Sequence, residues 1–263
     1  MSKLLDFISV IIPGYNEEKR IAQSLTALSA FCEAHFDRYE ILFVNDGSTD
    51  KTKEIVESVS APFLRVIHLE SNQGKGLAVK TGMLQARGEY RFFTDADLPY
   101  ELSAIPAAIV VFHSTHCDGV AGARDLPESS DPSRQTALRN LTSRCFSALV
   151  RALLQVDIKD TQCGFKGFTA EAAEKIFPPS FIKGYAFDVE LFLLAQTCDL
   201  KICKLPVSLI QRHHSKVRIS LDAPMMFWDV VKMCKRYRAQ GATRAEEFAQ
   251  IRNSKHESRN NIK

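Results

Sequence analysis

Four times in the first half of the chain, an apolar run gives way to a polar turn and then to apolar residues at helical spacing. Ile8-Ser9-Val10-Ile11-Ile12-Pro13 is the first run, with Ile21, Leu25, Leu28 and Phe31 or Cys32 recurring behind it. Tyr39–Val44, Leu64–Leu69 and the run ending at Asp95 follow, each succeeded by a helical pattern. β-Branched and aromatic runs with this period suit strands, and the spaced repeats suit helices. Strand–helix alternation at this rhythm predicts an α/β fold: a mostly parallel central sheet in a three-layer sandwich.

The turns carry the chemistry. Glu17, Asp46, Asp95 and Asp97 each fall just after a predicted strand, so they gather on one edge of the sheet. In open α/β sheets, ligands sit beyond the carboxyl ends of the strands. Tyr90-Arg91-Phe92-Phe93-Thr94-Asp95-Ala96-Asp97 is the sharpest case, a buried-strand pattern ending in two carboxylates. Adjacent acids repel unless a cation or a hydrogen-bonding ligand offsets them. The expectation is a divalent metal on Asp95 and Asp97, holding a diphosphate through it. Read alone, an Asp-x-Asp turn is merely a surface turn; the aromatic strand before it argues otherwise.

Bulk properties exclude several classes. With 263 residues, 45% hydrophobic and 25% charged, the chain has the make-up of a globular protein with a substantial core. A net charge of +3 gives no case for nucleic acid. The seven cysteines (32, 117, 145, 163, 198, 203 and 234) form no Cys-x-x-Cys pair and are read as reduced thiols, which predicts a cytoplasmic protein. The amino terminus lacks the apolar core of a secretion signal, and the apolar run Ala104–Phe112, broken by Pro106, is too short to span a bilayer.

The second half is less regular. Helices are predicted near Ser103–His113, Gln135–Gln155, Ala170, Phe187 and Met225–Arg238, strands at Asp118–Ala123 and Ile202–Ile210, and a loop at Leu126–Pro132. Residues 1–241 are expected to form one domain, with a donor half to about 125, an acceptor half from 126, and a polar tail over 242–263.

Four blocks, Pro13-Gly14-Tyr15-Asn16-Glu17, Asn45-Asp46-Gly47-Ser48-Thr49-Asp50, Asn72-Gln73-Gly74-Lys75-Gly76 and Asp95-Ala96-Asp97, stand in the order of inverting family 2 glycosyltransferases. The chain resembles that family from about Ile8 to Tyr237. Asp160-Thr161-Gln162-Cys163-Gly164-Phe165-Lys166 with Phe187-Asp188-Val189-Glu190-Leu191 resembles its dolichyl-phosphate β-glucosyltransferase branch and bacterial polyprenyl-phosphate relatives. The resemblance implies a GT-A (Rossmann-like) fold, a nucleotide-sugar donor, Mg²⁺ or Mn²⁺, and a lipid-phosphate acceptor. The chain departs from the pattern at Asn45, where the family usually has a second aspartate. The eukaryotic relatives also carry a membrane anchor that this sequence does not show, so a peripheral seat at the inner face of the membrane is the expectation.

The resemblance also implies roles. Pro13, Tyr15 and Glu17 would line the nucleotide pocket, Asp46 would accept hydrogen bonds from the base, and Lys75, Asp95 and Ala96 would lie by the donor. Read from the residues alone, the first block is a turn in which Asn16 caps the next helix. Asp46 is then a helix-initiating turn residue, and Lys75 a solvated lysine. Arg124, then Arg139 and Ser143, would meet the acceptor or diphosphate, since a guanidinium grips phosphate at two points. Ser215 and Lys216 match a closing turn, and His213 and His214 beside them read as loop. Asp160 and Asp188 are the candidate bases for a hydroxyl acceptor; a phosphate acceptor, already ionised, needs none. With Glu190, these acids would otherwise hold the acceptor loop and favour a helix start. Met225-Met226-Phe227-Trp228 followed by Lys232, Lys235, Arg236 and Arg238 suits either a membrane-surface helix or one packed on the core.

The expected reaction is metal-dependent, inverting transfer of a hexose, glucose from UDP-glucose, to a polyprenyl or dolichyl phosphate. The alternatives are a sugar or glycolipid hydroxyl acceptor, a GDP-mannose donor, and a non-catalytic nucleotide-sugar binder. The sequence assigns no oligomeric state.

Overall fold

The computed structural model describes residues 3–59, 63–123, 129, 163–210 and 225–237. Its elements run β1 (Leu4–Gly14), α1 (Ile21–His35), β2 (Phe36–Asn45), α2 (Thr52–Ser58), β3 (Leu64–His68), α3 (Lys75–Gln85) and β4 (Tyr90–Phe93). There follow α4 (Ala104–Thr115), β5 (Gly119–Ala123), β6 (Lys166–Thr169), α5 (Ala170–Ile176), α6 (Phe187–Thr197), β7 (Ile202–Pro206) and a helix, α7, described over residues 225–237. The predicted helix at 135–155 and nearly all of the loop at 126–132 lie outside the described residues.

The seven strands form one sheet in the order β3-β2-β1-β4-β6-β5-β7. Every pairing is parallel except those of β6, which runs antiparallel to both β4 and β5. The expected mostly parallel three-layer α/β architecture is therefore the one observed. The apolar runs of β1 and β2 are continuous because both faces of the sheet are covered. Val10, Ile12, Ile41, Phe43 and Phe92 pack in one core with α1 and α4. Ile11, Leu42, Val44 and Phe93 pack in the other with α3, α5, α6 and α7.

Sequence pattern missed β6. Lys166-Gly167-Phe168-Thr169 has a charge and a glycine where a central strand normally has β-branched residues. Gly167 passes against the Phe92 ring, leaving no room for a side chain. The Lys166 charge is compensated far away in sequence, as described below. β6 comes from the predicted acceptor half, yet it is inserted between two donor-half strands.

One buried acid supports the sheet away from the ligand edge. Glu40 is 5% exposed and accepts from Ser9 Oγ at 2.7 Å, Arg65 Nη1 at 2.8 Å and the Arg87 N–H at 2.6 Å. Burial alone would raise its pKa, but these donors outweigh it and hold the carboxyl below its usual range. The stabilisation is therefore present above the ordinary carboxylate pKa and lost as pH falls through the lower folded value. Glu40→Gln is expected to cost about 1–3 kcal/mol at neutral pH. Urea unfolding from pH 3 to 7 should show the gap between variant and wild type narrowing toward the acid end.

Candidate active site

The sheet reverses its strand order at β1, between β2 and β4, and the polar turns after these strands meet there. Gly14 is level with Asn45, and Ile11 with Phe93. The first two turns are laced together. Asn16, held at φ 54°, accepts the Thr49 N–H on Oδ1 at 2.8 Å, and its own N–H donates to Ser48 Oγ at 2.9 Å. The Glu17 N–H donates to Thr52 Oγ1 at 2.7 Å. Asn16 therefore does not cap α1, whose N-cap is Arg20 without a side-chain bond; it clamps the neighbouring turn instead. Asn45, the family departure, is 3% exposed, accepts the Ser48 N–H at 3.1 Å and places Nδ2 3.0 Å from His68 Nδ1.

Asp46 is 3% exposed, and both of its oxygens are engaged, by the Gln73 N–H at 2.8 Å and the Gly74 N–H at 2.9 Å. Each oxygen keeps a second lone pair, so these bonds orient the carboxylate on the edge where the nucleobase contact is expected. The carboxylate holds the Gly-rich turn that opens α3. Gly74 needs its φ of 99°, and its backbone meets the Lys183 carbonyl, so no side chain fits there. That turn launches Lys75 toward the acid pair.

Asp95 and Asp97 lie on a tight turn after β4, closed by the Leu98 N–H on the Asp95 carbonyl at 3.0 Å. Leu98 itself sits at φ 44°. Lys75 Nζ donates to Asp95 Oδ1 at 2.5 Å. Burial would lower the Lys75 pKa, but the Asp95 and Asp188 carboxylates override it and raise it, so the ammonium stays charged. Arg20 joins the other acids: Nε is 3.0 Å from Glu17 Oε2, and Nη1 is 3.7 Å from Asp97 Oδ2. Each carboxylate of the pair thus has a cation beside it. The expected gathering of Glu17, Asp95 and Asp97 on one edge is present, through an arginine that motif reading passed over.

Behind Lys75 lies a second layer. Asp188, in the first turn of α6, is 6% exposed and accepts from Lys166 Nζ at 2.6 Å. Burial raises its pKa against the pull of Lys166 and Lys75. The acid is enclosed, and its partner among the described residues is the Lys166 ammonium. Glu190, fully buried, accepts the Phe181 and Ile182 N–H groups and the Tyr237 hydroxyl at 2.9–3.1 Å. Burial raises its pKa as well. It fixes the loop whose Lys183 carbonyl receives the Gly76 N–H at 2.7 Å. Lys166 closes the 160–166 block without a role of its own being assigned there, and Arg20 lies outside every motif.

Pro13 and Ala96 are buried, and Tyr15 is partly exposed, all on this edge. Arg124, Arg139, Ser143, Asp160, His213, His214, Ser215 and Lys216 lie outside the described residues, as does the tail at 242–263.

The side chains fit a divalent ion. Asp95 and Asp97 offer hard oxygen donors, with side chains 35% and 21% exposed. No cluster of three or more His, Cys, Asp or Glu gathers among the described residues. An ion here would complete its shell from phosphate oxygens and water, as Mg²⁺ does with one or two carboxylates.

α7 packs one side on the core, as the second of its two expectations has it. Val230 and Met233 are fully buried on the core, while Met225, Phe227 and Trp228 are 65%, 45% and 62% exposed. Lys232, Lys235 and Arg236 are exposed on the turns that follow. No helix among the described residues is long and apolar enough to cross a membrane.

Comparison with known proteins agrees with this fold. The model of glycosyl transferase family 2 matches residues 9–177. The chain is 34% identical to a dolichyl-phosphate β-glucosyltransferase of Dictyostelium discoideum over 88% of its length and 75% of the relative. It is 34% identical to that of Saccharomyces cerevisiae over 86% of its length and 73% of the relative. Among solved structures, glucosyl-3-phosphoglycerate synthase from Mycobacterium tuberculosis, in complex with Mn²⁺ and UDP-glucose, superposes with a TM-score of 0.63 at 21% identity. That match covers 88% of this chain and 79% of the other. Mannosyl-3-phosphoglycerate synthase from Rubrobacter xylanophilus gives 0.66 at 18% identity, covering 90% and 75%. Folded as a GT-A enzyme, with its acid pair at the reversal of the sheet, the chain belongs to the family 2 glycosyltransferases.

Proposed function

We propose that the protein transfers glucose from UDP-glucose to dolichyl or another polyprenyl phosphate, with inversion at the anomeric carbon. The observation that carries this reading is the pairing of Asp95 with Lys75 and of Asp97 with Arg20 at the ligand edge. The names of the relatives, 34% identical across most of the chain, support glucose and a lipid phosphate. Asp95 and Asp97 would hold Mg²⁺ or Mn²⁺. Bound there, the ion would supply charge stabilisation to the departing diphosphate. Lys75 and Arg20 stand beside the same acids, where they add positive charge for the leaving group without rearrangement. A phosphate oxygen of the acceptor attacks the anomeric carbon from the face opposite the diphosphate; one C–O bond forms as the other breaks. The acceptor phosphate is largely ionised at neutral pH, so no base is required. The enclosure of Asp188 supports this reading.

The face of α7 adds a seat. Its exposed Met225, Phe227 and Trp228, with the basic residues behind them, suit an anionic lipid surface. Labelled-sugar transfer tests the whole reading. UDP-glucose with Mn²⁺ should label dolichyl phosphate in anionic vesicles; GDP-mannose as donor, or dolichol as acceptor, should give no product. Transfer from GDP-mannose or onto dolichol would overturn the assignment. Trp228→Ser should slow transfer to the vesicle-borne acceptor but not to a short, soluble polyprenyl phosphate. Equal slowing on both would remove the membrane role.

A further inference from the structure

Lys166 carries a charge inside the protein, with a side chain only 1% exposed. Its Nζ donates to the Cys163 carbonyl at 2.7 Å and to Asp188 Oδ1 at 2.6 Å. It also stands 5.6 Å from the ring centroids of Phe93 and Phe192. Burying such a pair carries a desolvation penalty of several kcal/mol per ion, so an interior ion pair is weak evidence for stability alone. Its position points elsewhere. Lys166 lies level with Phe93 across the β4–β6 ladder, two residues before Asp95.

Two paths lead from Lys166 to Asp95. One is backbone. The Cys163 carbonyl that Lys166 holds begins a turn in which Gly164 lies against the Asp95 carboxylate, so closely that a Cβ there would overlap Oδ2. The Gly164 N–H is also bonded to the Tyr100 hydroxyl at 3.3 Å. The other path is charge. Lys75 feels both Asp95 and Asp188. Because Lys166 neutralises Asp188, Lys75 is left to pair with Asp95.

We propose that Lys166 is a positioning residue for the donor site: by neutralising Asp188 and holding the Cys163 carbonyl, it keeps Lys75 and Gly164 against Asp95. Without the Lys166 ammonium, Asp188 becomes the stronger attractor for Lys75, and Asp95 loses its partner and its wall together. The inference rests on the reading of Asp95 as part of a metal–diphosphate site.

The test is Mn²⁺–UDP affinity, followed by the Mn²⁺ electron paramagnetic resonance signal, at a temperature where each variant is folded. Lys166→Met should weaken binding by about tenfold or more, the scale for residues that orient a metal ligand. Lys166→Met combined with Asp188→Asn removes both interior charges and should recover part of the loss, to within about fivefold of wild type, because Lys75 is again free to pair with Asp95 while the Cys163 carbonyl stays unheld. A folded Lys166→Met with wild-type affinity overturns the proposal. So does a double variant that stays as weak as the single. Should Lys166→Met fail to fold, the double variant carries the test, and a loss of about tenfold there overturns it. If wild type binds no Mn²⁺–UDP, it is the assignment of the metal site that fails, which keeps the two failures distinct.

Discussion

Asp97→Ala should lower glucose transfer about a thousandfold, while the melting temperature stays close to that of wild type. The rate loss follows from the share of leaving-group stabilisation that a metal provides, about 4 kcal/mol at 1.36 kcal/mol per decade. The small effect on folding follows from where Asp97 lies. Its side chain is partly exposed on a turn, and its ion pair with Arg20, at 3.7 Å, is the kind that contributes little to stability. Steady-state kinetics beside a thermal melt separates the two effects. A variant keeping more than about a tenth of the wild-type rate would contradict the role given to this carboxylate.

Gly164→Ala is the second large effect expected, about a hundredfold loss of transfer. The added methyl would overlap Asp95 Oδ2, and the other oxygen of that carboxylate is held by Lys75. Asp95 must therefore turn away, and misplacing a reacting group's support by about 1 Å carries a loss of this order. Gly184→Ala is the matched control. Among the described residues, a Cβ there meets only Asp229 Oδ2 at 3.5 Å, an ordinary contact. The Gly164 variant should also bind Mn²⁺–UDP poorly. Equal rates for the two alanine variants would show that Gly164 does not hold the acid in place.

The first four strands and the acids behind them were legible because the information is local. Val10–Pro13 and Ile41–Val44 are apolar without interruption, as strands covered on both faces tend to be. Asp95 and Asp97 follow such a strand directly. What could not be read is what depends on side chains far apart in sequence. Lys166 looks like a loop charge until Asp188, 22 positions later, is found beneath it. Arg20 looks like a helix-start residue until the fold sets Asp97 next to it. Asp46 occupies the motif position expected to face the base, and two backbone N–H groups 27 and 28 residues on bond its oxygens as well. In each case the partner is supplied by topology, which no local period encodes. α7 is the ambiguous case: its stripe suited either a packed helix or a membrane-surface one, and the fold buries Met233 while leaving Trp228 exposed.

Calorimetric titration of UDP into the protein, with and without Mn²⁺, is the most direct test of the metal site at Asp95 and Asp97. The account predicts that Mn²⁺ tightens UDP binding by about tenfold or more in wild type and has no such effect in Asp97→Ala. Equal UDP affinity with and without Mn²⁺, or a metal effect that survives in Asp97→Ala, would contradict it.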